Sequence, residues 1–173
     1  MKRKRAKYIT VMAMLITIAL MLSYVETLLP VIPIPGAKLG LANIITLLAL
    51  CTLSTRDAFV ILIIRSIISS LLFSSLLSLA YSLTGGIISL IVMLILLKVF
   101  NDKLSLIAIS IIGAIVHNLG QLLIAILIMQ TVSIATLLPW LIAIAIPAGI
   151  LVGLCVKFTL KHFKKIITLE GVS

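Results

Sequence analysis

Seven polar side chains lie in or beside long apolar stretches of this 173-residue chain: Glu26, Lys38, Asn43, Arg65, His117, Asn118 and Gln121. A polar group at membrane depth is costly, so each needs a partner, a wet cavity or a ligand. An acid, two cations, a histidine and three amides can hold a small polar solute by hydrogen bonds and charge. Gly113, His117, Gly120 and Gln121 share one helix face by i, i+4, i+7 and i+8 spacing. The glycines leave room beside that face for another helix or a ligand. Each residue also has a plainer reading. Glu26 can be solvated near an interface, Lys38 can be a loop lysine, and Asn43 can open a helix. His117, Asn118 and Gln121 can be interhelical glue, and Arg65 a structural pairing. Convergence is what favours a pocket.

Other chemistries lack their residues. No Walker A sequence appears, no Cys/His cluster suggests a metal, and no Gly-x-Ser-x-Gly marks a hydrolase. The four acids, Glu26, Asp57, Asp102 and Glu170, are scattered, whereas Mg²⁺-diphosphate chemistry needs several carboxylates together. The chain is therefore read as a non-enzyme without a cofactor. Cys51 and Cys155 form no disulfide framework and read as small apolar fillers.

The elements that must position the seven residues are membrane helices. The chain is 63% hydrophobic, with mean hydropathy +1.42. Leu104 to Val156 contains no Lys, Arg, Asp or Glu, and as one helix would run about 80 Å, more than two bilayer cores. It must cross twice. Helix 1 is expected over Tyr8–Leu29, as a retained helix rather than a signal peptide, followed by an extended loop at Pro30, Pro33 and Pro35. Helix 2 is expected over Leu39–Leu53, roughly 22 Å long. Asp57 opens helix 3, and only Arg65 is charged from there to Lys98, so two spans fit, with a break at Tyr81–Gly86 (YSLTGG). Phe100–Lys103 closes helix 4. Helix 5 covers Leu104–Met129, Gln130–Leu138 turns, and helix 6 carries Pro147 as a bend and ends near Phe158. No internal repeat is evident.

Six spans make an all-α polytopic membrane bundle, one domain over 1–173, with basic tails at about 1–7 and 159–173. Twelve cations then fall on one side and only Lys38 on the other. That asymmetry predicts cytoplasmic termini in a plasma membrane, and topology and anionic lipid explain the +10 charge better than nucleic acid does. His117 would sit roughly 20 Å above the cytoplasmic end of helix 5. With Glu26, Lys38, Asn43 and Gln121 it forms an outer-half pocket open to the outside. Arg65 stands apart, roughly 12 Å into helix 3, near Ser66, Ser69 and Ser70 and a shared wet cavity. Ala145, Gly149 and Gly153 make a small-residue stripe for close packing on helix 6, and Ala6, Thr10, Ala13 and Thr17 a looser one on helix 1 that could face a partner.

Three segments carry a family resemblance: Glu26-Thr-Leu-Leu-Pro30, Pro35-Gly-Ala-Lys-Leu-Gly-Leu-Ala-Asn43 and His117-Asn-Leu-Gly-Gln121. They resemble the bacterial family labelled Gx transporter, or heptaprenyl diphosphate synthase component I. That family is similar to the substrate-binding S components of energy-coupling factor (ECF) transporters. The resemblance implies a six-helix fold that captures a vitamin, cofactor precursor or similar micronutrient from outside. It also implies a transmembrane T subunit and two ATPases as partners. Ala13-x-x-x-Thr17 approximates the Ala-x-x-x-Ala pattern that such proteins use on helix 1 toward the T subunit. The synthase label would imply a non-catalytic membrane partner in isoprenoid or quinone metabolism.

Overall fold

The computed structural model describes residues 2–28, 38, 40–100 and 103–169, with side chains described outside 2–5, 7 and 163–169. Among the described residues every regular element is helical: α1 Lys2–Thr27, α2 Asn43–Thr52, α3 Thr55–Phe73, α4 Leu76–Phe100, α5 Leu106–Met129 and α6 Leu138–Leu169, with a 3₁₀ turn at Val132–Leu137 before α6. Four helical stretches are long and apolar enough to cross a bilayer: Tyr8–Thr27, Leu76–Phe100, Leu106–Met129 and Val132–His162. This is a membrane protein in class. The other two helices are of a different kind. Helix α2 has ten residues and spans only about 15 Å. Helix α3 has nineteen and carries Arg56, Asp57 and Arg65.

The helices pack with their polar and small residues inward. On α3 the buried face runs Ala58, Ile61, Leu62, Arg65, Ser66, Ser69 and Ser70. On α4 it runs Ser78, Tyr81, Ser82, Gly85, Gly86, Ser89, Leu90 and Met93. Leu71, Leu72, Ile91, Ile95, Leu123 and Leu127 point outward. Lipid tails are as apolar as leucine, so leucines gain little from hiding; small residues gain close contact and hydroxyls gain partners. Ser66 and Ser82 hydroxyls meet at 3.0 Å across α3 and α4, and Ser89 Oγ donates to the Gly113 carbonyl of α5 at 2.8 Å.

Local signals set the helix ends. Ser54 Oγ accepts the Asp57 N–H and Asp57 Oδ2 accepts the Ser54 N–H, a reciprocal cap at the start of α3. Ser105 Oγ accepts the Ala108 N–H and starts α5, two residues later than Leu104. Gln130 at φ 49° ends α5 in the left-handed region. The Tyr8 hydroxyl donates to Asp57, tying the beginning of α1 to that of α3, so these two helices run the same way.

Several boundaries differ from the sequence expectation. Residues Tyr81–Gly86 are not a break but the interior of α4. The turn lies at Ser74–Ser75, where Ser75 Oγ accepts the Ser78 N–H. Inside a bilayer a broken backbone finds no water, so the helix continues and its glycines serve close approach instead. A Cβ on Gly85 would stand 2.6 Å from the His117 carbonyl oxygen, and one on Gly120 2.8 Å from Gly85 Cα. Helix α2 starts at Asn43 because Gly40 holds φ +86°, outside helical space. Leu39 and the Pro30, Pro33 and Pro35 loop lie outside the described residues, as do Asn101 and Asp102 of the expected Phe100–Lys103 turn. Helix α6 runs past Phe158 to Leu169, since Gly171 is the first helix breaker after Gly153; Pro147 sits within it. Helix α1 likewise includes the basic head from Lys2. Cys155 is exposed rather than a packed filler, and Cys51 is half-buried; both are free.

The stripe on α6 packs inside the chain. Cβ atoms on Gly149 and Gly153 would lie 2.5 Å and 2.6 Å from the Cα atoms of Ile111 and Ile107 on α5. The α1 stripe of Ala6, Thr10, Ala13 and Thr17 faces outward, and its threonine hydroxyls bond back to the carbonyls of Ala6 and Ala13.

Candidate functional site

The segment ahead of α2 does not stay at the end of the bundle. Lys38, Gly40 and Ala42 are buried, and α2 begins inside the protein. Helices α2 and α3 are joined by Leu53 and Ser54, so Asn43 and Arg65 stand at similar heights, each about 15 Å from that connection. This places Arg65 in the same cluster as the other polar groups. Sequence depth alone had set it apart, because a ten-residue helix preceded by a buried coil was not anticipated.

All seven residues singled out are buried, at 9% exposure or less. Arg65 Nη2 donates to Asn43 Oδ1 at 3.0 Å. Glu26, on α1, accepts the N–H of Leu41 just ahead of α2. It is thus an anchored acid rather than a solvated one. Gln121 Nε2 donates to the Lys38 carbonyl at 3.1 Å and lies 2.8 Å from His117 Nε2. The first contact requires the amide nitrogen there, and its second hydrogen then points at His117 Nε2. That imidazole nitrogen must be the acceptor, so the ring is neutral with its proton on Nδ1. Nδ1 lies beside Gly85, without a hydrogen-bond partner.

Asn118 leaves the cluster. Its Nδ2 donates to the Leu141 carbonyl at 3.0 Å, pinning α5 to α6. Of the serines near Arg65, Ser66 meets Ser82 of α4, Ser69 bonds the Ser66 carbonyl within α3 at 3.4 Å, and Ser70 Oγ has no partner.

Six of the seven residues, from α1, α2, α3, α5 and the stretch ahead of α2, therefore group around Gly40 and Asn43. Beside this group, and sharing only Asn43 of the six, a cavity of about 10 Å³ is lined by Gly40, Asn43, Ser89, Ser110 and Gly113, with apolar side chains of α4, α5 and α6. That volume suits roughly one water. Several buried polar atoms stay without partners: Lys38 Nζ, Arg65 Nε, His117 Nδ1, Gln121 Oε1 and Ser110 Oγ. Native interiors rarely leave so many unmet at one place. Among the described residues no three of His, Cys, Asp and Glu come together as a metal site.

Sequence reading missed Gly40, Ser89 and Ser110. A signal for Ser89 existed, since Ser78, Ser82, Gly85 and Ser89 recur at i, i+4, i+7 and i+11 on one face of α4. Gly40 is critical for a different reason. Its φ of +86° disfavours any side chain, and a Cβ would stand 2.8 Å from Asn43 Nδ2 and 3.2 Å from the His117 ring. Gly40→Ala is expected to cost about 1–3 kcal/mol of stability. Thermal unfolding of the purified variant checks it; an unchanged midpoint contradicts the placement of this turn.

A family model described as heptaprenyl diphosphate synthase component I matches residues 15–159. No curated protein and no solved structure gives a significant match.

Proposed function

The chain belongs to the heptaprenyl diphosphate synthase component I family, and from that premise and its buried polar cluster we propose that it is a membrane-embedded substrate-binding subunit of a micronutrient uptake transporter. One observation carries the reading: charged and amide groups with unmet hydrogen-bonding capacity are gathered in the core of an apolar bundle. A protein that needed only a rigid bundle would be better served by apolar packing, since buried charge is weak support for stability. Binding adds the missing partners.

In this proposal six segments cross the plasma membrane, α2 doing so together with the buried coil before it. The termini are cytoplasmic, by the charge asymmetry. The pocket faces outward. Substrate entry needs Lys38 and Gly40 to move aside, releasing the Gln121–Lys38 contact, because the present cavity has no room for it. Glu26, Lys38, Asn43, Arg65, His117 and Gln121 line the pocket, with Asn118 fixing the helix that carries His117. The energy source carried over from the sequence resemblance to S components is partner ATPases working through a T subunit. The outward stripe from Ala6 to Thr17 is the contact surface for that subunit.

Native mass spectrometry of the chain, gently purified from its own membrane, tests this. A small molecule together with T and ATPase subunits is expected. Alanine at Asn43 and at His117 should each lower uptake at least about tenfold, the size of losing one or two buried hydrogen bonds to a substrate. No bound molecule and unchanged uptake would overturn the reading.

The family description favours a second reading, a non-catalytic membrane subunit of a prenyl diphosphate synthase. It predicts a stable complex with a soluble prenyl transferase instead of ATPase subunits.

A further inference from the structure

The charges in the cluster do not balance. Arg65 and Lys38 are both buried; Arg65 bonds Asn43, which lies against Gly40, two residues from Lys38. Glu26 is the one acid among the seven residues, and it is already engaged by the Leu41 N–H. His117 is held neutral by Gln121. One positive charge is therefore in excess. Each cation has an unpartnered nitrogen, Lys38 Nζ and Arg65 Nε, at atoms excluded from solvent. Arg65 Nη2 is taken by Asn43, and Nε is a buried donor left for something else.

We propose that Lys38 and Arg65 form the anchor for a carboxylate on the substrate, which binds with its oxygens between Lys38 Nζ and Arg65 Nε. The inference rests on the substrate-binding reading above and names the chemistry of what is bound. An excess of one charge suits a monoanion. A dianion such as phosphate would restore an imbalance of opposite sign and add its own desolvation cost. Two such donors on one carboxylate would make charge-assisted hydrogen bonds, which are stronger than neutral ones. Gln121 Oε1 and His117 Nδ1 remain for polar groups elsewhere on the substrate, one an acceptor and the other a donor.

The charge count also separates the two cations. Arg65 has a hydrogen-bonded seat on Asn43, whereas Lys38 Nζ has no partner. Lys38 is thus the surplus charge, tolerable only because an anion comes to it.

The experiment is thermal unfolding of the full chain in lipid nanodiscs, titrated with potassium acetate, potassium propionate and potassium phosphate against potassium chloride at matched ionic strength. Acetate and propionate are expected to raise the midpoint saturably, and phosphate to do so less. Lys38→Met should unfold at a higher midpoint than wild type in chloride alone and lose the carboxylate response. Arg65→Lys, which keeps the charge but not the guanidinium fork, should weaken the apparent affinity about tenfold or more. A midpoint that no carboxylate raises above the chloride control overturns the proposal. So does a response equal in wild type and Lys38→Met, or a stronger response to phosphate. Co-purified ATPase subunits and measured uptake judge the transport reading separately. If those persist without a carboxylate response, the site takes an uncharged or cationic substrate and only the anchor assignment fails.

Discussion

Arg65→Met is expected to lower the stability of the protein by about 3 kcal/mol, one of the two largest single-site effects in the molecule. The guanidinium is 3% exposed, and its Nη2 holds the side-chain carbonyl of Asn43. Removing it leaves Asn43 Oδ1 without a donor and takes a buried positive charge from the cluster that holds Glu26. Neither group can turn to bulk water from there. A methionine fills part of the volume but offers no proton. The contrast with Lys38→Met is the informative part, because both changes delete one buried positive charge. If charge count alone governed stability, both would stabilise. If hydrogen-bonded position governs it, Arg65→Met destabilises while Lys38→Met does not. Paired thermal unfolding of the two variants decides this, and equal shifts of the same sign would show that Arg65 has no special seat.

Gly149→Val is expected to cost about 2–3 kcal/mol and to loosen the contact between α5 and α6. A Cβ at this position would stand 2.5 Å from Ile111 Cα and 3.0 Å from its backbone nitrogen. The neighbour is main chain, which cannot swing aside as a side chain does. The helices must therefore separate, and contacts along the seam weaken together. Asn118, which bonds the Leu141 carbonyl across this seam, is strained in the same movement. Valine is a better helix former than glycine, so any loss must come from packing rather than propensity. Ala143→Val is the control on the same helix, since Ala143 faces outward. Its midpoint should stay near wild type. Equal behaviour of the two variants would contradict the close α5–α6 approach.

The two stripes of small residues show how far a sequence pattern reaches. Ala145, Gly149 and Gly153 read as a close-packing surface, and they lie against α5. Ala6, Thr10, Ala13 and Thr17 read the same way, yet they face outward. Spacing tells that a helix has a smooth face; it does not tell which neighbour, if any, covers it. The Gly85–Gly86 pair misled for a related reason. In water such a pair marks a turn, but within a bilayer the backbone must stay hydrogen-bonded, so the pair marks a crossing point of helices instead.

Individual candidates for the site were legible because polar side chains are rare in this chain and each is conspicuous. Their grouping was less so. Counting residues along straight helices placed His117 and Gln121 together, since one helix carries both. The same counting left Arg65 alone, because it assumed that helix 2 fills its span from Leu39. Gly40 at φ +86° ends that assumption by starting α2 inside the protein, opposite Arg65. Asn118 shows the converse. It neighbours His117 in sequence, but one residue along a helix turns the side chain by roughly 100°, and it meets α6 instead.

Composition by itself determined the solvent of this protein. Long runs without charge have no stable place in water, and helices are the means by which an isolated segment satisfies its own backbone in lipid. It likewise determined which side chains must be buried with partners, since an apolar chain has so few polar groups. Tertiary structure alone decided who those partners are. Contacts between Glu26 and Leu41, Arg65 and Asn43, and Gln121 and Lys38 cross from one element to another. Their formation depends on how deep a coil sits and how each helix is rotated. Hydrophobic patterning is nearly blind to both when lipid surrounds the bundle and every outward face is equally apolar.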